Sequence, residues 1–181
     1  LFVGTVRKVK GLDVLVQALP AVLEQQPGVH LRVVGEPFRR QYRRDEREVR
    51  ELVDELGLQD RVHFTGGREP EGVAEEMRRA AVLVVPSRRE SFGTVVPEAM
   101  ACGTPVVATR SGGPEEILTD DTGILVPPED PTALARAVGD VLAGRVRFDP
   151  ESLRSRAVRH WGRPANRRRI DRLYRDAVEA Y

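Results

Sequence analysis

Cysteine is almost absent from this sequence of 181 residues. Cys102 stands alone, which excludes an internal disulfide and fits a reducing compartment, so the expected location is cytoplasmic. An excess of one charge is missing too. The 29 Lys and Arg face 28 Asp and Glu, a formal net charge of +1, so no global field draws the chain to nucleic acid or an anionic membrane. No apolar run approaches the ~20 residues of a transmembrane helix, and nothing reads as a signal peptide. Methionine occurs only as Met77 and Met100, and Leu1 to Gly4 already read as the interior of a strand. The expectation is a piece of a longer protein whose N-terminal part is not in this sequence. Neither an Asp-x-Asp pair nor a His cluster offers to hold a divalent ion, so neither metal nor cofactor is expected. His30, His63 and His160 read as isolated residues, with His63 facing a neighbouring strand. Lysine is scarce among many arginines: Lys8 and Lys10 are the only two.

What is present is an alternation. Short apolar runs at 1–4, 29–35, 61–66, 81–86, 104–109 and 122–127 are rich in Val, Ile or Phe, and most end in Gly or Pro, as strands entering turns do. Between them lie helical patterns over 11–26, 43–56, 70–80, 94–102, 114–119 and 130–143. Pro70 and Pro131 suit first-turn positions, Asp130 an N-cap, and Gly57 and Gly103 the residue just past a helix end. Pro20 is expected to kink the first helix. Strands that are apolar throughout and separated by helices imply a parallel sheet covered on both faces. The predicted fold class is therefore α/β: a doubly wound, Rossmann-like parallel sheet of about six strands, ending in a helical extension. Such sheets bind ligands beyond the carboxyl ends of their strands.

Two loops there carry candidate chemistry. In ESFGTVVPEAMACG, residues 90–103, a polar loop turns into an apolar helix. The first free N–H groups of that helix, at Thr94, Val95 and Val96, suit a phosphate, and Gly93 lets backbone approach a ligand closely. Glu90 and Glu98, eight positions apart, cannot grip the same point. A carboxylate that accepts from two adjacent hydroxyls holds a sugar ring, so one acid for a hexose and one for a ribose, with phosphates between, fits a nucleotide-sugar. In GTVRKVKG, residues 4–11, Lys10 stands directly before the first helix and suits an anion. The P-loop and G-x-G-x-x-G patterns are both absent.

The chain resembles the C-terminal, donor-binding domain of retaining glycosyltransferases of family 4 (group 1), which have the GT-B fold. The resemblance runs in order through LFVG…KGLDVLVQAL, VHLRVVGE, RVHFTG, VPSRRESFGTVVPEAMACGTPVVAT, GGPEEI and TGILVPPEDPTALA. It covers nearly all of residues 1–143. It implies a hexosyltransferase whose acceptor site belongs to an N-terminal domain outside this sequence, with an NDP-sugar such as UDP-, GDP- or ADP-hexose as donor. Over matching positions it implies that Glu90 binds donor-sugar hydroxyls beside the backbone of Ser91, Phe92 and Gly93, and that Glu98 holds the ribose. The amides near Thr94, Val95 and Val96 meet the diphosphate together with Lys10. Gly4, Thr5, Gly35, Glu36 and Arg68 line the rest of the pocket, the last three flanking the base. Gly112 and Gly113 match the family's glycine pair, with a tight turn as the structural alternative. One departure stands out. Thr5 occupies the place of the family's usual Arg, the second cation for the diphosphate, and Arg7 or Lys8 are candidates to replace it.

The expected organisation is a nucleotide-sugar-binding domain over 1–150 and a C-terminal helical extension over 151–181. The extension holds nine Arg against four acids, with Ile170, Leu173, Tyr174, Ala177, Val178 and Tyr181 at helical spacing. This stripe packs on its own domain or reaches the missing part of the chain; Trp161 and Gly162 form the joint before it. Glu46–Arg50 and Arg47–Glu51 are expected pairs on a solvated helix face within 39–56, and Cys102 is expected to be a small core residue. Two other readings remain open: a binding or assembly module completed by a partner chain, and another GT-B enzyme such as a nucleotide-sugar epimerase.

Overall fold

The computed structural model describes residues 1–36 and 43–179. Its elements alternate as the sequence predicts: β1 (Phe2–Val3), α1 (Leu12–Gln25), β2 (Leu31–Val34), α2 (Arg43–Glu55), β3 (Val62–Gly66), α3 (Pro70–Arg79) and β4 (Leu83–Val85). Then come α4 (Val95–Ala101), β5 (Val106–Thr109), α5 (Gly113–Ile117), β6 (Gly123–Val126), α6 (Pro131–Leu142), α7 (Pro150–Trp161) and α8 (Arg163–Glu179). A single 3-10 turn, Lys8–Lys10, bridges β1 and α1. The strands are shorter than their apolar runs, and α1 continues through Pro20. The start of the charge run, residues 39–42, and Tyr181 lie outside the described residues.

Pairing is parallel throughout, in two three-stranded sheets ordered β1-β2-β3 and β4-β5-β6. They meet along β1 and β4, where Val84 N–H donates to Leu1 O at 2.8 Å and the Leu1 nitrogen to Val82 O at 3.0 Å. Across both sheets the spatial order is β3-β2-β1-β4-β5-β6, the doubly wound order that reverses direction between β1 and β4.

Successive side chains of a strand point to opposite faces, and that sorts the interior into two cores. Val82, Val84 and Val107 join α1, α2 and α6 on one face; Leu83, Val85, Val106 and Ala108 join α4, α5 and α7 on the other. Asp130 caps α6 by accepting from Ala133 N–H at 2.8 Å, as its position predicts. Asp149 does the same for α7 through Ser152 N–H at 2.8 Å. Cys102 packs against the second core.

The tail divides. α7 buries Leu153 and Ala157 in the second core, and Trp161 packs there before the break at Gly162. α8 leaves Ile170, Leu173, Tyr174 and Val178 exposed, so its apolar stripe does not pack on this domain. On α2 both expected pairs form, Arg50–Glu46 at 2.7 Å and Arg47–Glu51 at 3.8 Å. His30 and His63 are not isolated: parallel pairing of β2 and β3 brings their ring nitrogens to 2.9 Å. Among the described residues no helix is long and apolar enough to cross a membrane.

Candidate functional site

The reversal of strand order opens the loops after β1 and β4 towards each other, and Lys10 and Glu90 meet there. Lys10 Nζ lies 2.5 Å from Glu90 Oε2, across a sequence separation of 80 residues. Both are largely buried, with Glu90 the deeper. Ser87 Oγ adds a longer bond to the same carboxylate oxygen at 3.4 Å. Beside the pair opens a cleft of about 480 Å³ lined by Arg7, Val9, Lys10, Arg89, Glu90, Ser91 and Ser111. Arg7 thus borders the cleft, whereas Lys8 sits over the adjoining groove beside α2, its backbone N–H donating to Asp45 at 2.8 Å. Arg89 was passed over in the sequence, where it reads as one of many surface arginines. Here it is an exposed cation facing a cleft.

Glycines hold the two loops together. Gly11 has φ 69°, and a Cβ there would stand 1.9 Å from Pro86 O, so the backbone after Lys10 is pressed on the loop that carries Glu90. On the other side Glu90 N–H donates to Ser111 O at 2.8 Å, and Gly113 N–H returns to Glu90 O at 2.7 Å. A Cβ on Gly113 would lie 2.3 Å from the Phe92 carbonyl. The Gly112–Gly113 pair is therefore the structural seat of the Glu90 loop. Phe92 remains 41% exposed at the rim.

After Glu90 the chain presents bare backbone. Thr94 precedes α4 without a side-chain cap, and the N–H groups of Ser91, Phe92, Gly93, Thr94 and Val95 have no hydrogen-bond partner among the described residues. Val96 is a correction to the expected set. Its N–H donates to Gly93 O at 2.8 Å, so the turn itself consumes it. Pro97 has no N–H to offer. The Glu98 carboxylate, on the first turn of α4, makes no hydrogen bond or ion pair among the described residues, and desolvation pushes it above the usual range.

Of the predicted residues, Lys10, Glu90, Ser91 and the candidate Arg7 line the cleft and the others do not; Gly4, Thr5, Gly35, Glu36 and Arg68 lie further along the same rim. Gly4 N–H donates to Val34 O at 3.0 Å and Gly35 N–H to Gly66 O at 2.9 Å, which stitches the ends of β1, β2 and β3 together. Thr5 is half-buried just after β1. Exposed Glu36 runs its side chain beside Gly67. Arg68 is drawn onto α3 instead: its guanidinium is 3.8 Å from Glu76, a carboxylate already held by Arg32 at 2.6 Å. Hydrogen bonding from Arg32 keeps that carboxyl below the usual range despite its burial.

Arg88, also passed over in the sequence, ties the loops underneath. Its guanidinium donates to both oxygens of Asp13 at 2.8 Å, to Lys8 O at 2.6 Å and to Glu129 at 2.9 Å, while its backbone N–H donates to Val9 O at 2.8 Å. Partial burial pushes the Asp13 carboxyl up, but the Arg88 bonds and charge, with backbone amides, outweigh it and hold it below the usual range.

A doubly wound parallel sheet with a lysine, a carboxylate and open amides at its topological switch point defines a Rossmann-like α/β domain. The family model for glycosyl transferases group 1 matches residues 1–159, and the chain belongs to that family. It is 38% identical, over 98% of its length, to the D-inositol 3-phosphate glycosyltransferase of Acidothermus cellulolyticus, and spans 41% of that protein. Sucrose-phosphate synthase from Thermosynechococcus elongatus superposes with a TM-score of 0.85 at 36% identity, over 99% of this chain and 46% of the other. Anabaena HepE, crystallised with UDP and glucose, gives 0.81 at 26% identity, over 96% and 48%. The chain thus spans less than half of each of these three relatives.

Proposed function

We propose that this chain is the donor-binding part of an enzyme that moves a hexosyl group from a nucleoside-diphosphate sugar to an acceptor. The observation that carries the reading is the contact of Lys10 with Glu90 at the cleft, a cation for phosphate beside an acid for sugar hydroxyls. Glu90 accepts from the hexose; Lys10, Arg7, Arg89 and the amides from Ser91 to Val95 receive the diphosphate; Glu98 accepts from the ribose. The complex of HepE with UDP and glucose is consistent with such a donor.

Cleavage of the sugar–phosphate bond leaves extra negative charge on the departing diphosphate. Lys10 is aimed at that developing charge, so the residues of the chain stabilise it without a metal ion. Arg7 and Arg89 take the part of the cation that Thr5 replaces. Transfer proceeds with retention of configuration, as in the family that the motifs resemble. Residues 1–150 bind the donor, and the acceptor is held by a part of the protein outside this sequence, so this chain alone binds donor and transfers little. The reaction belongs in the cytoplasm. The exposed apolar side chains of α8 favour a second role, packing against that other part or a partner chain.

Calorimetric titration of UDP, GDP, ADP and their hexose forms into the chain tests the reading. One nucleoside diphosphate binds, and Glu90→Gln weakens the sugar form more than the free diphosphate. Failure of all three to bind would sink it.

A further inference from the structure

We infer that Arg88 is a positioning residue for the diphosphate cation: it sets Lys10 in the cleft by gripping the backbone on one side of it and the first turn of α1 on the other. The inference rests on the proposed role of Lys10. Arg88 does not line the cleft, so it has no direct route to a ligand there. Its reach is specific to the lysine loop. Its side chain holds the carbonyl of Lys8 at 2.6 Å and its own N–H holds that of Val9 at 2.8 Å, the two residues before Lys10. Its fork then takes Asp13 through two bonds of 2.8 Å, three positions after Lys10.

Between those anchors the 3-10 turn has little freedom. Lys10 N–H donates to Arg7 O at 2.8 Å, and Gly11 N–H to Lys8 O at 3.1 Å, the same carbonyl that Arg88 takes. Gly11 then lies flat on Pro86, two residues before Arg88. A lysine side chain is a flexible stem, and fixing the backbone at both ends of its turn limits where the ammonium can swing. The Arg88–Asp13 pair is well placed to do so. Both side chains are about three-quarters buried, at 21% and 27% exposure, and a bidentate guanidinium–carboxylate pair fixes orientation as well as distance. The third arm reaches Glu129, the one non-glycine residue with positive φ (57°) among the described residues. That partner is 67% exposed, so this arm contributes little.

A double-mutant cycle tests the role. The ligand is whichever of UDP, GDP and ADP binds the chain most tightly, with its nucleoside as control, and circular dichroism reports folding. Lys10→Ala alone weakens the diphosphate by about 10- to 100-fold and leaves the nucleoside unchanged. Arg88→Ala weakens the diphosphate by about fivefold or more in the native background, but by less than about twofold in the Lys10→Ala background. Arg88→Lys keeps the charge without the fork and falls between the two. Asp13→Asn repeats the cycle with the carbonyl grips intact and serves if Arg88→Ala does not fold. An equal loss in both backgrounds would overturn the positioning role and leave the site reading standing. So would unfolding of both Arg88→Ala and Asp13→Asn. An unchanged diphosphate affinity in Lys10→Ala would instead strike the reading of the site.

Discussion

Lys10 Nζ and Glu90 Oε2 stand 2.5 Å apart, although 80 positions of chain separate them and they project from different loops. Their opposite charges face each other as an ion pair. On the proposed reading, a donor beside them would give the ammonium a phosphate and the carboxylate a pair of hydroxyls. In the whole enzyme, Lys10→Ala is expected to lower kcat by about 100- to 1000-fold, since the charge it meets grows in the transition state. Donor affinity falls much less. Steady-state kinetics set beside calorimetry decides it, and equal losses in kcat and affinity would reduce Lys10 to a binding residue.

Glu98, the acid proposed to hold the ribose, is exposed on α4. Its carboxyl is raised by desolvation, so the ionised form is disfavoured in the fold relative to the unfolded chain. That penalty is absent below the ordinary carboxyl value and grows as pH rises through the raised one. Glu98→Gln therefore leaves Tm at neutral pH unchanged or slightly higher. It weakens every nucleotide alike by about 1.5–3 kcal/mol, the value of hydrogen bonds to a charged group. Native affinity falls as pH drops through the raised value, and the variant shows no such fall. Thermal melts and titrations from acid to neutral pH measure both.

Gly11→Ala and Gly57→Ala separate backbone strain from collision. Both residues have positive φ, 69° and 66°, but the new Cβ meets Pro86 O at 1.9 Å in the first and nothing within 4 Å in the second. Gly57→Ala is expected to cost about 1–2 kcal/mol, the left-handed penalty alone. Gly11→Ala costs more than that and also weakens nucleotide binding, because the lysine turn must lift off its neighbour. Urea denaturation of the two variants gives the difference.

The two tail helices make opposite contributions to this domain. Leu153 on α7 is fully buried in the second core, so Leu153→Ala destabilises by about 2–5 kcal/mol. Leu173 on α8 is 61% exposed, and Leu173→Ala changes stability by less than about 0.5 kcal/mol. A large effect at Leu173 in the isolated chain would show that α8 packs on the domain after all.

The alternation of apolar runs and helical patterns was enough to read the doubly wound class, because strands buried on both faces cannot be amphipathic. That Lys10 and Glu90 fall at one rim was legible for a similar reason: each lies in a loop that follows a strand, and the carboxyl rim is where such sheets offer open backbone. Arg88 and Arg89 were not, since an arginine pair in a chain rich in arginine has no signature until its partners are known. Asp13 and Lys8 are 75 and 80 positions from Arg88. The pairing of His30 with His63 was likewise invisible, because register between parallel strands is set by the packing of the helices that connect them.

By itself, then, the sequence determined local order: which segments are strands or helices, which turn, and which loops leave the carboxyl ends of strands, since periodicity and chain reversal are properties of neighbouring residues. The tertiary structure alone decided that Lys10 touches Glu90 and that Arg88 grips the lysine loop. Those contacts join residues far apart in the chain, and their distances exist only once both cores have closed around the sheet.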